Sequence, residues 1–238
     1  MFDLFLDPNG VSINETYQRA MIQTLSGDTG TWHEGLPTIQ RVARGAGADY
    51  SVNPLVDSNY SSYSGLQAFQ DTHSTKDMIW YLSSDAASGS GDADITEVVE
   101  HLMHTIHSYG VRGGVSGSVD GLSWIPGMDP DWKTRELFLA FKQAVDNGVF
   151  SLTDYGDGNY NTASTFELAV IEYLYLLNFN MWEYSTLWDG GSLAPEWNDN
   201  SRTPSGIEEN NPLGYALYNK YINPVLAKPS LSTLRTIL

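Results

Sequence analysis

Between Ala163 and Trp182 the chain is apolar on nearly every side of a helix, running Thr165-Phe166-Glu167-Leu168-Ala169-Val170-Ile171-Glu172-Tyr173-Leu174-Tyr175-Leu176-Leu177-Asn178-Phe179. A helix with one apolar stripe lies on a core, whereas one that is apolar all round lies inside it. This stretch therefore predicts the buried spine of the fold. One residue is out of character. Glu172 sits in the most apolar part, and an unpaired buried carboxylate costs several kcal/mol. It needs either an Arg or Tyr partner in the core or a metal ion. Otherwise it must face solvent or pair with Arg112 or Arg135.

A second stretch supplies candidate partners. Asp94 to Gly110 (Asp-Ile-Thr-Glu-Val-Val-Glu-His-Leu-Met-His-Thr-Ile-His-Ser-Tyr-Gly) holds three of the five histidines, His101, His104 and His107, within seven residues. Asp94 as N-cap and Glu97 three residues on form a capping box, with Gly110 as the C-terminal stop. At about 100° per residue, Ile95, Val98, Val99, Leu102, Met103 and Ile106 share the arc that faces the core. Glu97, Glu100, His101, His104, His107 and Ser108 share the opposite arc. Glu100 and His104 are neighbours at i,i+4, and His104 and His107 at i,i+3. Imidazole and carboxylate at these spacings are what a transition metal such as zinc takes from one helix. The same face would also serve as a solvated surface, where such pairs contribute a few tenths of a kcal/mol.

The helix resembles the active-site helix of zincin metallopeptidases. In their motif, His-Glu-x-x-His, two histidines bind zinc and the glutamate is the general base. With His104 in the second histidine position, the first ligand position is Glu100 and the base position is His101. This chain thus reads Glu-His-x-x-His, with the first two residues exchanged, and it does not match the inverted His-x-x-Glu-His order. A carboxylate can ligate zinc and a histidine can act as a base. The resemblance implies a zincin-like domain whose metal is held by Glu100, His104 and a glutamate from a later helix, as in the glutamate-ligand branch. Glu172 fills that last role. Glu167 is the reserve, but it lies roughly 140° from Glu172 around the helix, so both cannot point at one site. His107 is an alternative ligand, and Tyr173 or Tyr175 would steady an oxyanion.

Composition narrows the function classes. Twelve basic residues against 29 acidic ones give a net charge of −17. That argues against nucleic acid and against anionic membrane surfaces as partners. The chain has no cysteine, so a zinc site has to be built from His, Asp and Glu. No run of 18 apolar residues is present, so no ordinary transmembrane helix is expected. Met1-Phe2-Asp3-Leu4-Phe5-Leu6-Asp7-Pro8 lacks the basic n-region of a signal peptide. An excess of Asp, Asn, Gly and Ser with little Lys resembles acidic secreted bacterial proteins and points to an extracellular setting.

Elsewhere the signals are local. Phe2 to Leu6 alternates like a short strand, and Asn14 can cap a helix over 15–26. Thr38 to Ala43 reads as a strand and Ser74 to Leu82 as a helix. His33, beside Trp32 and Glu34, and His73 are further histidines outside the cluster. Asp85, Asp92 and Asp94 could hold calcium, but the EF-hand spacing is absent, so a solvated loop is expected. The same holds for the Asp154 to Asn161 turn. Val111 to Ser118 reads as a flexible connection. Asp129-Pro130-Asp131 opens a helix to Asn147-Gly148 whose buried side is Trp132, Leu137, Phe138, Phe141, Ala144 and Val145. Residues 183–211 read as a loop, followed by two short helices from Pro212 and Ser230.

The fold class expected is mainly α, with a few short strands, in one zincin-like domain over 1–238 built on the helices 94–109 and 163–182. The function expected is a metal-dependent, peptidase-like hydrolase acting on a peptide or protein substrate. Two alternatives stand beside it. One is a carbohydrate-active or carbohydrate-binding protein with Glu183, Asp189 and Glu196 in a Trp-lined cleft. The other is a catalytically inactive structural or surface protein on a zincin-like scaffold.

Overall fold

Strand β1 (Arg41–Arg44) and strand β2 (Met78–Tyr81) pair in parallel, Arg41 opposite Met78 through Arg44 opposite Tyr81. Helix α1 (Ala93–Thr105) packs on β2 and runs into a π-helical stretch, Ile106–Val115. A 3-10 turn (Trp132–Thr134) leads to α2 (Glu136–Asp146), followed by α3 (Ala163–Met181). After a 3-10 turn at Asp199–Ser201 come α4 (Pro204–Asn210), α5 (Pro212–Leu217) with a π turn at Tyr218–Ile222, and α6 (Leu231–Ile237). This computed structural model describes residues 92–115, 129–184 and 196–237 (His101 and some neighbours without their side chains). It also describes the backbone of 41–44 and 78–81 and isolated positions at Phe5, Asn14, Glu15, Thr16, Gln18, Arg19, Met21, Leu122, Pro126 and Gly127. The described part is mainly helical, and none of its helices is long and apolar enough to cross a membrane.

The spine lies where its sequence puts it. From Tyr173 through Asn180 every side chain of α3 is buried, two full turns without a solvent face. Aromatic rings do most of the filling. Phe166 meets Trp132, Phe138 and Phe141 at centroid distances of 4.6, 5.4 and 5.3 Å, and Tyr173 meets Phe141, Phe150 and Trp197 at 5.5, 5.9 and 6.0 Å. Such pairs add about 0.5–1.5 kcal/mol each beyond area burial.

Several polar groups in this core are tied off by one junction. Tyr173 Oη donates to Asn211 Oδ1 at 2.7 Å, and Asn211 Nδ2 donates to Ala140 O at 2.9 Å and Gln143 Oε1 at 3.2 Å. Fully buried Asn211 thus joins α2, α3 and the start of α5. The helices come so close here that a Cβ on Gly214 would collide with Asn211 Oδ1 and the Tyr173 hydroxyl. Ahead of α2, Arg135 holds Asp129 with two bonds, Nε to Oδ2 at 2.7 Å and Nη2 to Oδ1 at 3.1 Å.

Several sequence expectations are corrected. Helix α1 begins at Ala93 with Asp92, not Asp94, at its N-cap. The Asp92 carboxylate does not cap; it receives Arg235 Nε at 2.8 Å. Gly110 does not stop the helix, because Val111 and Arg112 beyond it are buried and packing keeps them ordered. For the same reason Val111 to Val115 is helical and not a flexible connection; 116–118 lie outside the described residues. The helix expected from Asp129 is split, since Arg135 is extended (ψ 150°) between the 3-10 turn and α2. Met78-Ile79-Trp80-Tyr81 is strand and not helix: a short aromatic and β-branched run is ambiguous by periodicity, and pairing with β1 decides it. Within 183–211, residues Pro204–Asn210 form a helix, its N-cap Thr203 accepting from Gly206 N at 3.1 Å with Pro204 next in line. Phe5 is helical and not strand; it is buried and stacks on Trp182 at 5.8 Å.

The Asn211 junction yields a prediction. Asn211→Ala removes three hydrogen bonds and leaves the buried Tyr173 hydroxyl without its acceptor, so it should cost about 3 kcal/mol. Tyr173→Phe should cost only about 1 kcal/mol. Urea unfolding of the two variants and the double mutant checks this. Costs that simply add would mean the groups do not act as a network.

Candidate metal centre

Helix α1 packs against α3, and the contact brings together residues 68 positions apart in sequence (His104 to Glu172). Its inner arc of Ile95, Val99, Leu102, Met103 and Ile106 is buried, as the helical spacing predicts. The opposite arc is not left to solvent. His104 is only 5% exposed, and its Nε2 stands 3.2 Å from Glu172 Oε2 on α3. Glu100, one turn before His104 and half-buried, completes a group. Glu100, His104 and Glu172 each offer one ligand atom, and the three atoms lie within 4.8 Å of one another. Donors bound to a tetrahedral zinc at about 2.0–2.2 Å stand roughly 3.3–3.6 Å apart. The observed group needs only a small contraction to meet such an ion. It is the arrangement of this kind found among the described residues.

The surroundings are aromatic. The Tyr175 ring meets His104 edge-on, with centroids 5.8 Å apart at 86°. Tyr175 and Glu172 are i,i+3 on α3, so the same face that presents the carboxylate presents the ring. Tyr173 points its hydroxyl to Asn211 instead, and burial drives its pKa upward. Neither arginine weighed as a partner for Glu172 takes that part: Arg112 Nε donates to Ser108 O at 3.0 Å and Arg135 holds Asp129.

His107 is buried as well, at 2% exposure, but it does not belong to the group of three. Neither of its ring nitrogens has a hydrogen-bond partner among the described residues. Burial, and secondly the neighbouring His104, push its pKa down to about 3, so the ring is neutral in the fold. It sits at the start of the π-helical stretch, a distortion that recurs at functional sites. His101 lies on α1, but its side chain is outside the described residues, as are His33, Glu34, His73, Asp85 and Asp189. Glu167 is half-buried on α3, apart from the group. Glu183 is exposed just past the end of α3, with φ at +57°.

The acidic turn after α2 is closed on itself. Asp157 accepts the Thr162 and Thr165 hydroxyls at 2.7 Å each and Asn159 N at 3.0 Å. These bonds hold its carboxylate below the usual range. Within it lies a residue the sequence did not single out. Buried Tyr155 donates its hydroxyl to Glu196 Oε1 at 2.5 Å. The charges of Glu172 and Glu100 bear on Tyr155, and those of Glu172 and Asp154 on Glu196. Burial, reinforced by those two carboxylates, raises the Glu196 pKa. Nothing in the spacing of Tyr155 and Glu196, 41 residues apart, announces their meeting.

No family model matches the chain, and neither a curated protein nor a solved structure does.

The burial of His107 predicts a pH response. An unfolded chain protonates this ring below its ordinary value of 6.5, while the folded chain resists protonation down to about 3. The contribution to stability is thus complete above 6.5 and is lost as pH falls toward 3. The slope is about 1.4 kcal/mol per pH unit for one proton. His107→Leu should flatten the fall in unfolding free energy between about pH 6 and pH 4 by close to one proton. Urea titrations at several pH values measure it, and parallel slopes for the two proteins would refute it.

Proposed function

We propose that Glu100, His104 and Glu172 hold a divalent transition metal and that the chain is a metal-dependent hydrolase of zincin type, acting on peptide bonds. The observation that carries this is the convergence of three donor atoms from two helices within 4.8 Å, two of them carboxylate oxygens and one an imidazole nitrogen. Stability alone does not require it. Two carboxylates beside one imidazole repel each other, and a cation between them would offset that repulsion. The Glu-His-x-x-His order on α1 and a glutamate from a later helix are in keeping with the zincin resemblance. Bound there, a divalent ion would polarise a carbonyl and acidify a water at its open position. The chain's own part is to fix three donors on two helices that are held by the core. Glu100 and Glu172, both half-buried, are the ligands nearer to solvent.

A second reading has one observation in its favour. The 3.2 Å approach of His104 to Glu172 can serve alone as a buried ion pair between α1 and α3, on a scaffold without catalysis. Metal content separates the two. Plasma mass spectrometry on protein purified without a histidine tag should find about one zinc or other transition metal ion per chain. His104→Ala and Glu172→Gln should each lower that occupancy by at least about tenfold. An untagged protein that takes up no metal, even from zinc-containing buffer, would leave the ion pair as the role of these residues.

A further inference from the structure

A histidine ligand has to present one ring nitrogen to its ion, and its last torsion does little to choose which. Rotation about that bond has a broad, roughly twofold profile, so the surroundings of a metal-binding imidazole set its ring plane. His104 brings Nε2 to 3.2 Å from Glu172 Oε2. Its ring meets Tyr175 edge-on, with centroids 5.8 Å apart and planes at 86°. Tyr175 is itself held. It is buried, and its ring packs on Phe179 at 5.4 Å and 63°. Phe179 in turn meets Tyr184 at 5.4 Å and 77°, and the Tyr184 hydroxyl donates to Pro229 O. Glu172, Tyr175 and Phe179 stand at i, i+3 and i+7 on α3. One helix face therefore carries the carboxylate, the ring beside the imidazole and the brace behind that ring. A row of aromatic contacts runs from the core to the imidazole of the group of three.

We infer that Tyr175 is the positioning residue of this centre: its ring sets the plane of the His104 imidazole, so that Nε2 faces Glu172. The inference rests on the metal reading given above. The contact works through the ring and needs no hydroxyl. An edge-on aromatic pair has a preferred geometry, and the bulk of the ring blocks rotation of the imidazole. A ligand already held in its binding orientation spares the ion the entropy of ordering it. Tyr173, two residues earlier on α3, turns to Asn211 and takes no part in this.

The test needs no substrate. Full-length wild type, Tyr175→Phe and Tyr175→Leu are each titrated with cobalt(II), followed by its visible absorption, and the stability of each metal-free chain is measured in urea. The expected result is cobalt affinity within about threefold of wild type in Tyr175→Phe, which keeps the ring, and at least about tenfold weaker in Tyr175→Leu, which removes it. A ring that only fills space would lower the stability of Tyr175→Leu and leave the cobalt affinity of its folded chain at the wild-type level. That outcome would overturn the inference and leave the metal site standing. Equal weakening in both variants would also overturn it, because the hydroxyl and not the ring would then be responsible. A wild-type chain that binds no cobalt would end the metal reading itself, and this one with it. Tyr175→Met fills the space with a flexible chain and carries the same expectation as Tyr175→Leu, so it keeps the question decidable should the leucine variant fold poorly.

Discussion

Everything described in this protein depends on burying the second half of α3, from Tyr173 to Asn180, on all sides. A stretch with no solvent face gains the most from apolar area, yet its polar groups call for partners inside. The helix carries Glu172, Tyr173, Asn178 and Asn180 within nine residues. Asn180 Nδ2 turns back to Leu176 O at 2.7 Å, within the helix itself. Asn178 Nδ2 reaches Met103 Sδ on α1 at 3.7 Å, a weak bond that costs little to make. Tyr173 takes Asn211, and Glu172 takes His104. The partners come from different elements, so satisfying α3 also fixes where α1 and the start of α5 must lie.

Seen from α3, the two faces carry different duties. The face toward α2 and α5 is aromatic and neutral, and its one hydroxyl is spent on a structural junction. The face toward α1 carries the carboxylate, the Tyr175 edge and the imidazoles. It is also where the regular backbone of α1 gives way to the π-helical stretch after Thr105. A wider helical turn moves side chains off the 3.6-residue repeat, and His107 is the first titratable group past that change. It ends buried and does not join Glu100 and His104 in the group of three, although simple helical spacing puts all three on one arc.

How much of this was legible follows from range. The spine needed only local information, since fifteen mostly apolar residues read as buried in any fold. The approach of Glu172 to His104 was legible only in part: a carboxylate in an apolar run demands a partner, and the histidine-rich helix was one supply beside a core Arg or Tyr, Arg112, Arg135 and solvent. Boundaries failed where tertiary burial overrode local signals, as at Gly110, or where a strand partner settled an ambiguous run, as at Met78 to Tyr81. Helix Pro204–Asn210 was hidden because it is polar, with Ile207 its single buried apolar anchor. The Thr203-Pro204 start was nonetheless a readable cap. Glu196 was named only as a candidate cleft carboxylate, and its meeting with Tyr155 was beyond reach, because the two sit in no periodic or spaced pattern and the Phe150–Trp197 bridge that brings them near forms only in the fold.

The exchange of Glu100 and His101 relative to His-Glu-x-x-His alters the electrostatics of the proposed centre more than its shape. Two carboxylates and one imidazole bring two negative charges to a divalent ion, where two imidazoles and one carboxylate bring one. Each extra anionic donor lowers the electrophilicity of the ion and makes its water harder to ionise. On the proposed reading, the exchange of Glu100 and His101 therefore bears on how acidic a bound water would be and not on where the ion would sit.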